Sequence, residues 1–537
     1  MLHLDPLYQP YPITKMPVYA KKGMVATSQP LAAQAGLDVL KQGGNAIDAA
    51  IATAACLTVV EPTSNGIGGD AFALVWTDGK LHGLNASGPA SQNISIEKVK
   101  RKGHTTMPEH GVIPVNVPGA PSAWVALSER FGKLSFDELL KPAIQYAEEG
   151  FPISPVLGKL WHHSVEMFRE KLRGEEFAHW FNLFAPEGKC PQIGEVWRSP
   201  DHASTLQSIA ETKAESFYRG ELAEKIDRFF CEYDGFLNAE DLATYFPEWV
   251  NPISVNYRGY DVWEIPPNGQ GLVALMALNI LKGFEFTDRD DTDTLHKQIE
   301  AIKLAFADGL TYITDADKMT VPVESLLSDA YAEERRKLIG KCAIDLKPGR
   351  PYSGGTVYLA TADQEGNMVS FIQSNYNGFG SGLAVPGTGI TLHNRGRNFS
   401  LNPEHDNRLE PGKKPYHTII PGFLSQGSEP IGPFGVMGAF MQPQGHVQVI
   451  MNTLDFRLNP QAALNAPRWQ WKEGKTVEVE PSFPHHLALA LAARGHNVKV
   501  ALESTGFGRG QIIWRQSDSG VLVGGSEART DGSVVAW

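Results

Sequence analysis

The sequence is poor in most of the features that announce a function. Cysteine is scarce: Cys56, Cys190, Cys231 and Cys342 are the four present in 537 residues. Their spacing contains no CxxC pair and no zinc-ligand pattern, so neither dithiol redox chemistry nor a zinc finger is expected, and reduced thiols are the simpler reading. Cys56 lies in an apolar helical run and reads as core. There is no HExxH, and His162-His163 and His485-His486 have no partner at ligand spacing; both pairs read as surface or packing histidines. No metal and no cofactor is expected. A GxSxG elbow is also missing. The run Asn377-Gly378-Phe379-Gly380-Ser381-Gly382 lacks the Gly-Lys-Ser/Thr of a phosphate loop. No apolar stretch is long enough to cross a bilayer, because the richest, Ala46–Val60, is short and carries Asp48. An excess of positive charge is absent too: the net charge is −12. Nucleic acid and anionic membranes are therefore not expected partners. The Arg335-Arg336-Lys337 run sits in an acidic helical stretch and reads as a solvated face. The N-terminus Met1-Leu2-His3-Leu4-Asp5-Pro6 has no basic region leading into an apolar run, so the expectation is a cytoplasmic protein without a secretory signal.

What is present describes a soluble globular chain, 42% hydrophobic and 20% charged, with 53 glycines to supply tight turns. Length alone suggests roughly three or four domains. Strand and helix patterns mix along the whole chain without repeats, which points to a layered α/β or α+β architecture. Residues 1–22 read as an extended lead-in. A strand is expected at Gly23–Ser28, then a helix over Leu31–Gln42 closed by Gly43-Gly44. Asn45 can cap a second helix, Ala46–Val59, apolar nearly all round and so expected to be buried. Asn65-Gly66-Ile67-Gly68-Gly69-Asp70 then leads into a strand at Ala71–Trp76. Helix, glycines, strand is the reverse of the order a dinucleotide fingerprint needs, so a tight turn is favoured, with an active-site wall as the second possibility. Helices are expected at Ala120–Arg130 and Phe136–Glu149, the latter with a Ser135/Glu138 capping box and kinked or shifted by Pro142. Residues 151–200 read as loop-rich and 202–229 as helical. A strand at Gly259–Glu264 runs through a turn to a helix at Leu272–Lys282, and Gln298–Tyr312 is a strong amphipathic helix. Residues 315–352 read as helix followed by a polar linker. Past the centre, 401–414 reads as a polar loop that can serve as a lid. Strands are expected at Thr418–Phe423, Gly435–Ala439, Val447–Ile450, Val498–Ala501, Gln511–Arg515 and Val521–Gly524, with helical turns at Pro460–Asn465 and His485–Ala493.

The chain is organised around Ser353–Ser374. Two β-rich runs flank a polar turn carrying Gly366 and Asn367, the pattern of a β-hairpin. Centring the loop Asp363–Asn367 on Glu365 pairs Ala362 with Met368 and brings Ser374 opposite Thr356, on the same face of the sheet. Gly354-Gly355 leaves the peptide bond before Thr356 unhindered. The expectation is self-cleavage at Gly355–Thr356, with the freed Thr356 as both nucleophile and base. A hydroxyl needs a base to become a useful nucleophile. An α-amine with a reference pKa of about 7.7–8.0 can be that base near neutral pH. A lone strand threonine after glycines is ordinarily structural, and hairpin geometry by itself would leave the catalytic role improbable.

Thr356–Asn367 with its Gly354-Gly355 lead, Phe379-Gly380-Ser381-Gly382 and Gly387–Ser400 resemble the small subunit of γ-glutamyltransferases, a family of N-terminal nucleophile hydrolases. Gly43–Ala50, Glu61-Pro62, Gly66–Asp70, Asn116–Gly119 and Glu300–Asp308 match landmarks of the same family, so the resemblance spans nearly the whole chain. It implies an α+β fold, the four-layer αββα sandwich. It further implies cleavage into a large chain 1–355 and a small chain 356–537 that together form one globular unit, and amide hydrolysis or transfer. By the resemblance, Thr356 falls on the nucleophile and Ser374 on a second, supporting hydroxyl. Gly438-Ala439 falls on the pair whose N–H groups form the oxyanion hole. In the substrate pocket the sequence departs from the family pattern. Leu84–Pro89, including Ser87, holds no arginine where one grips the α-carboxylate. Asn398 replaces an aspartate, Tyr376 an asparagine, and His417-Thr418 a pair of serines. Arg395, Arg397 or Arg468 is left to meet a carboxylate. The pattern is similar to a divergent cytoplasmic, cephalosporin-acylase-like branch. Three readings follow: a hydrolase or transferase of γ-glutamyl compounds such as glutathione, an acylase for another acyl group such as glutaryl, and an uncleaved binding protein on the same fold. The partners implied are a small acyl donor, water or an amine acceptor, and the two chains of one precursor, with room for a homo-oligomer of such pairs.

Overall fold

A computed structural model describes residues 15–346 and 355–537. The lead-in 1–14 and the linker residues 347–354 lie outside the described residues. Two seven-stranded sheets are stacked face to face. The first runs Ser533–Ala536, Gly23–Thr27, Gly355–Asp363, Met368–Tyr376, Asp70–Thr77, Lys80–Ala86, Glu248–Val250. The second runs Val18–Ala20, Leu522–Ser526, Arg509–Arg515, Glu429–Met437, Gly422–Gln426, Tyr260–Glu264, Ile253–Tyr257.

Side-chain alternation sorts these strands into layers. Tyr358, Ala360, Phe72, Leu74 and Ile372 meet Phe423, Met437 and Ile513 between the sheets. Their neighbours Val357, Leu359, Ala71, Ala73 and Phe371 face outward, against the helices Ala46–Val60, Ala120–Phe131 and Phe136–Glu149. Across the molecule, Phe434, Val436 and Ile512 pack under Gly271–Leu281, Thr292–Tyr312 and Met441–Leu454. The order is helix, sheet, sheet, helix. The helix Ala46–Val60 is buried along its whole length and is capped as its sequence predicts, with Asn45 and Asp48 exchanging hydrogen bonds.

The central hairpin keeps the expected register from Ala362↔Met368 to Val357↔Gln373, and then a bulge shifts it so that Gly355 faces Tyr376. Four other expectations are corrected. Val447–Ile450 is not a strand but the middle of the helix Met441–Leu454; a short apolar run has no period of its own to separate the two. The stretch 151–200 is not mainly loop, because Pro155–Lys171 and Ala178–Phe184 are helices that bury Trp161, Phe168 and Trp180. Ser135 precedes the helix Phe136–Glu149 without any side-chain cap. The strand expected from Thr418 begins at Gly422, because Arg395 and Gln270 engage Thr418 instead.

Candidate active site

Thr356 and Ser374 lie near the adjacent ends of the two central strands and are almost wholly buried. The bulge does not separate them: Thr356 Oγ1 lies 3.0 Å from Ser374 Oγ. Both hydroxyls reach the carbonyl between Gly355 and Thr356, Thr356 Oγ1 at 2.8 Å and Ser374 Oγ at 2.9 Å. Ser374 Oγ also accepts the Tyr376 N–H at 2.8 Å and an Arg395 Nη2–H at 3.2 Å.

Arg395 is fully buried at the start of the turn Arg395–Asn398. Its guanidinium lies 4.3 Å from the centre of the Tyr376 ring and donates through Nη1 to Thr418 Oγ1 at 2.6 Å. The counter-charge is Asp70, whose Oδ2 is 3.8 Å from Arg395 Nε. Asp70 also accepts from His417 Nε2 at 2.9 Å, and His393 Nε2 lies 3.5 Å from its other oxygen. Burial pushes the Asp70 carboxyl up to about 7, against the pull of Arg395. Burial also brings Arg395 down to about 10, His393 to about 3, and His417 well below the ordinary imidazole value. Both histidines are therefore neutral hydrogen-bonding groups.

A third strand delivers Gly438 and Ala439. Glu429–Met437 ends there, Gly438 (φ 138°) and Ala439 (φ 50°) turn the chain, and the helix Met441–Leu454 begins. Ala439 holds the left-handed region that L-residues avoid by about 1–2 kcal/mol, so the surroundings must fix it. Gln270 does so, donating to the carbonyls of Ala439 at 2.8 Å and Thr418 at 2.6 Å, while the Tyr416 hydroxyl donates to Gln270 Oε1 at 2.9 Å. The N–H groups of Met441 and Gln442 turn back to the Gly438 and Ala439 carbonyls. The Ala439 and Phe440 N–H groups are left without an acceptor among the described residues.

Beside Phe440 opens a cavity of about 580 Å³, walled by Asn398, Ser400, His405, Asn407 and Tyr416 and floored by Leu310. None of its lining residues among those described is Asp, Glu, Lys or Arg. The loop 401–414 forms part of this wall, pinned by Lys413 Nζ on the Asp406 and Arg408 carbonyls. Of the residues expected to meet substrate, Asn398 lines the cavity and donates to the Tyr416 carbonyl at 2.8 Å. Ser87 is buried and donates to Asn85 at 2.7 Å. Thr418 and His417 are committed to Arg395 and Asp70, and Tyr376 stacks on Arg395. The three arginines left to meet a carboxylate all have carboxylate partners already: Arg395 on Asp70, Arg397 on Glu109 at 2.7 Å and Arg468 on Glu527 at 2.8 Å. Asp70 and Gln270 were not singled out as site residues by sequence reasoning. The signal available was an acid directly after a glycine turn, and a glutamine inside another.

Elsewhere, His296, Glu300 and His496 bring potential metal-ligating atoms within 4.8 Å of one another. Lys303 Nζ, 2.8 Å from Glu300 Oε1, already supplies the cation there. The four cysteines are unpaired. His162 is exposed, with Nε2 3.2 Å from Glu166 and Nδ1 3.3 Å from Cys190 Sγ. No helix among the described residues is long and apolar enough to cross a membrane.

Residues 32–537 match the gamma-glutamyltranspeptidase family. The chain is 35% identical to the glutathione hydrolase-like YwrD proenzyme of Bacillus subtilis (strain 168), over 96% of this chain and 99% of that protein. It is 32% identical to the acylase ACY 1 proenzyme of Pseudomonas sp. (strain SE83), over 96% of each. Its fold superposes on the crystal structure of cephalosporin acylase from Bacillus halodurans with a TM-score of 0.97 at 64% identity, covering 100% of this chain and 99% of that one. The stacked sheets, the buried hydroxyl pair at the Gly355 carbonyl and these likenesses agree: the chain belongs to the gamma-glutamyltranspeptidase family of N-terminal nucleophile hydrolases.

Proposed function

We propose that the chain cleaves itself between Gly355 and Thr356 and then works as a threonine amidohydrolase or acyltransferase. The observation that carries this is the placement of Thr356 Oγ1 2.8 Å from the oxygen of the carbonyl it would attack, with Ser374 Oγ 2.9 Å from the same atom. Once freed, the Thr356 amine takes the hydroxyl proton and Oγ1 attacks a substrate amide. The N–H groups of Gly438 and Ala439, just before the helix Met441–Leu454, would receive the oxyanion. Water or an amine then releases the acyl group. The products 1–355 and 356–537 stay interleaved. The strand starting at Thr356 pairs with Gly23–Thr27 on one side and Met368–Tyr376 on the other, and the latter pairs with Asp70–Thr77. Denaturing gels and N-terminal sequencing test the core of it. The wild type should give two fragments, one starting at Thr356, and Thr356→Ala should stay one chain; a wild type that never matures sinks the proposal.

The neutral cavity favours an acylase reading over γ-glutamyl transfer. A γ-glutamyl group carries an α-ammonium, and burying it without a carboxylate is unfavourable. Asn398, Ser400, Asn407 and His405 offer hydrogen bonds but no negative charge. A glutaryl or similar side chain lacks the ammonium and does not incur that cost. Comparing kcat/KM for glutaryl- and γ-glutamyl-anilides decides it: faster turnover of the γ-glutamyl compound overturns this preference and leaves the self-cleavage reading intact.

A further inference from the structure

Ser374 has a hydrogen-bonding constraint that fixes what it does in the cleavage step. A hydroxyl has one proton to give and two lone pairs. Both lone pairs of Ser374 Oγ are taken, one by the Tyr376 N–H at 2.8 Å and one by Arg395 Nη2–H at 3.2 Å. Among the described residues, the remaining two neighbours are the Gly355 carbonyl oxygen at 2.9 Å and Thr356 Oγ1 at 3.0 Å. Towards both, Ser374 is left as a donor. It has no free lone pair with which to take the Thr356 proton, so it is excluded as the base. A carbonyl oxygen that gains negative charge during attack is the better acceptor of the two.

We propose that Arg395 is a positioning residue for self-cleavage: by donating to Ser374 Oγ it holds that hydroxyl as a donor aimed at the Gly355 carbonyl oxygen. This rests on the proposed self-cleavage. In the step, Thr356 Oγ1 bonds to the Gly355 carbonyl carbon and the π pair moves to the oxygen, which receives the Ser374 proton's hydrogen bond. The carbon–nitrogen bond then breaks, and the proton lost by Oγ1 ends on the Thr356 nitrogen. The resulting ester is hydrolysed by water to the Gly355 carboxylate and the free hydroxyl. A guanidinium donating into Ser374 Oγ makes its own O–H a stronger donor. The geometry supports a fixed role, because Arg395 has little freedom: it is fully buried, stacked on Tyr376, bonded to Thr418 and held by Asp70.

The test is a double-mutant cycle on the self-cleavage rate, followed by gel on freshly translated full-length chain. Ser374→Ala removes the donor and should slow cleavage on the order of 100-fold, the typical cost of one oxyanion donor. Arg395→Met should slow it by a similar factor in the wild type and by almost nothing further in the Ser374→Ala background, since the two act through one bond. Arg395→Lys keeps the charge but cannot reach Ser374 and Thr418 together, so it should recover only part of the rate. It also carries the test if Arg395→Met fails to fold, judged by solubility and the thermal midpoint. Arg395→Met or Arg395→Lys cleaving at the wild-type rate overturns the proposal. So does a second full loss when Arg395→Met is added to Ser374→Ala, which would mark a structural role. A wild-type chain that stays whole overturns the self-cleavage reading itself, a result distinct from either.

Discussion

Asn398→Asp should convert the acyl cavity towards γ-glutamyl recognition. Asn398 sits at the end of the turn that begins with Arg395, with its own carbonyl held by Asn407 Nδ2 at 2.7 Å, so the backbone stays in place after the change. Its Nδ2 now donates to the Tyr416 carbonyl at 2.8 Å. A carboxylate cannot donate there and repels that carbonyl, so it turns towards the open side, which is the cavity. A γ-glutamyl α-ammonium then meets a charged acceptor in a site otherwise lined by neutral groups. A hydrogen bond to a charged group is worth about 1.5–3 kcal/mol. That corresponds to a gain of about 10- to 150-fold in kcat/KM for γ-glutamyl-anilide. Glutaryl-anilide carries the same carboxylate without the ammonium, so it meets like-charge repulsion of roughly 1 kcal/mol across a partly screened cavity with no compensating contact, and its kcat/KM falls severalfold. The ratio of the two should move by about 100-fold. Steady-state kinetics on matured enzyme reads both, and the gel confirms maturation. A ratio unchanged within about threefold would show that the acyl group does not lie against Asn398, and that the 580 Å³ cavity is not the acyl site.

Three further outcomes follow from the buried polar groups. Burial lifts Asp70 to about 7 in the folded chain, against about 3.9 when unfolded. The native state then holds a proton that the unfolded state has released, so Asp70 weakens the fold progressively as pH rises from about 4 to about 7. The loss reaches about 4 kcal/mol at most and is constant above that window. Urea midpoints against pH should show that slope in the wild type and not in Asp70→Asn; parallel curves refute it. Asp363 accepts the N–H groups of Ala46, Glu365 and Asn367 at 2.9–3.0 Å, tying the hairpin turn to the helix Ala46–Val60. Asp363→Ala should cost about 2–4 kcal/mol in urea unfolding without moving the cleavage site, because buried donors lose their acceptor. Gln270→Leu frees the Ala439 and Thr418 carbonyls, so kcat of the mature enzyme should fall about 10- to 100-fold with little change in KM; a change in KM alone would place Gln270 in substrate binding.

By itself, the sequence determined what local rules control. The two β-rich runs flanking the polar turn at Gly366 set a hairpin whose register held from Ala362↔Met368 to Val357↔Gln373. The apolar helix after Asn45 was readable because a wholly buried helix has no polar face to confuse the pattern, and Asn45 with Asp48 marks its start. The two hydroxyls could be brought together on paper because antiparallel pairing is arithmetic. Local rules failed where tertiary packing outweighs them. Val447–Ile450 is short and β-branched, and only the sheet beneath Met441–Leu454 makes it a helix. Polar partners hundreds of residues apart leave no local trace. Nothing near Asp70 announces Arg395, which lies 325 positions later by their numbers, and nothing near Gln270 announces Ala439. The bulge at Thr356, the donor role forced on Ser374 and the uncharged cavity beside Phe440 all depend on which strands and loops share one buried volume. There an unpaired charge or an unfilled lone pair carries its full desolvation cost, and chemistry is decided by neighbours in space rather than in sequence.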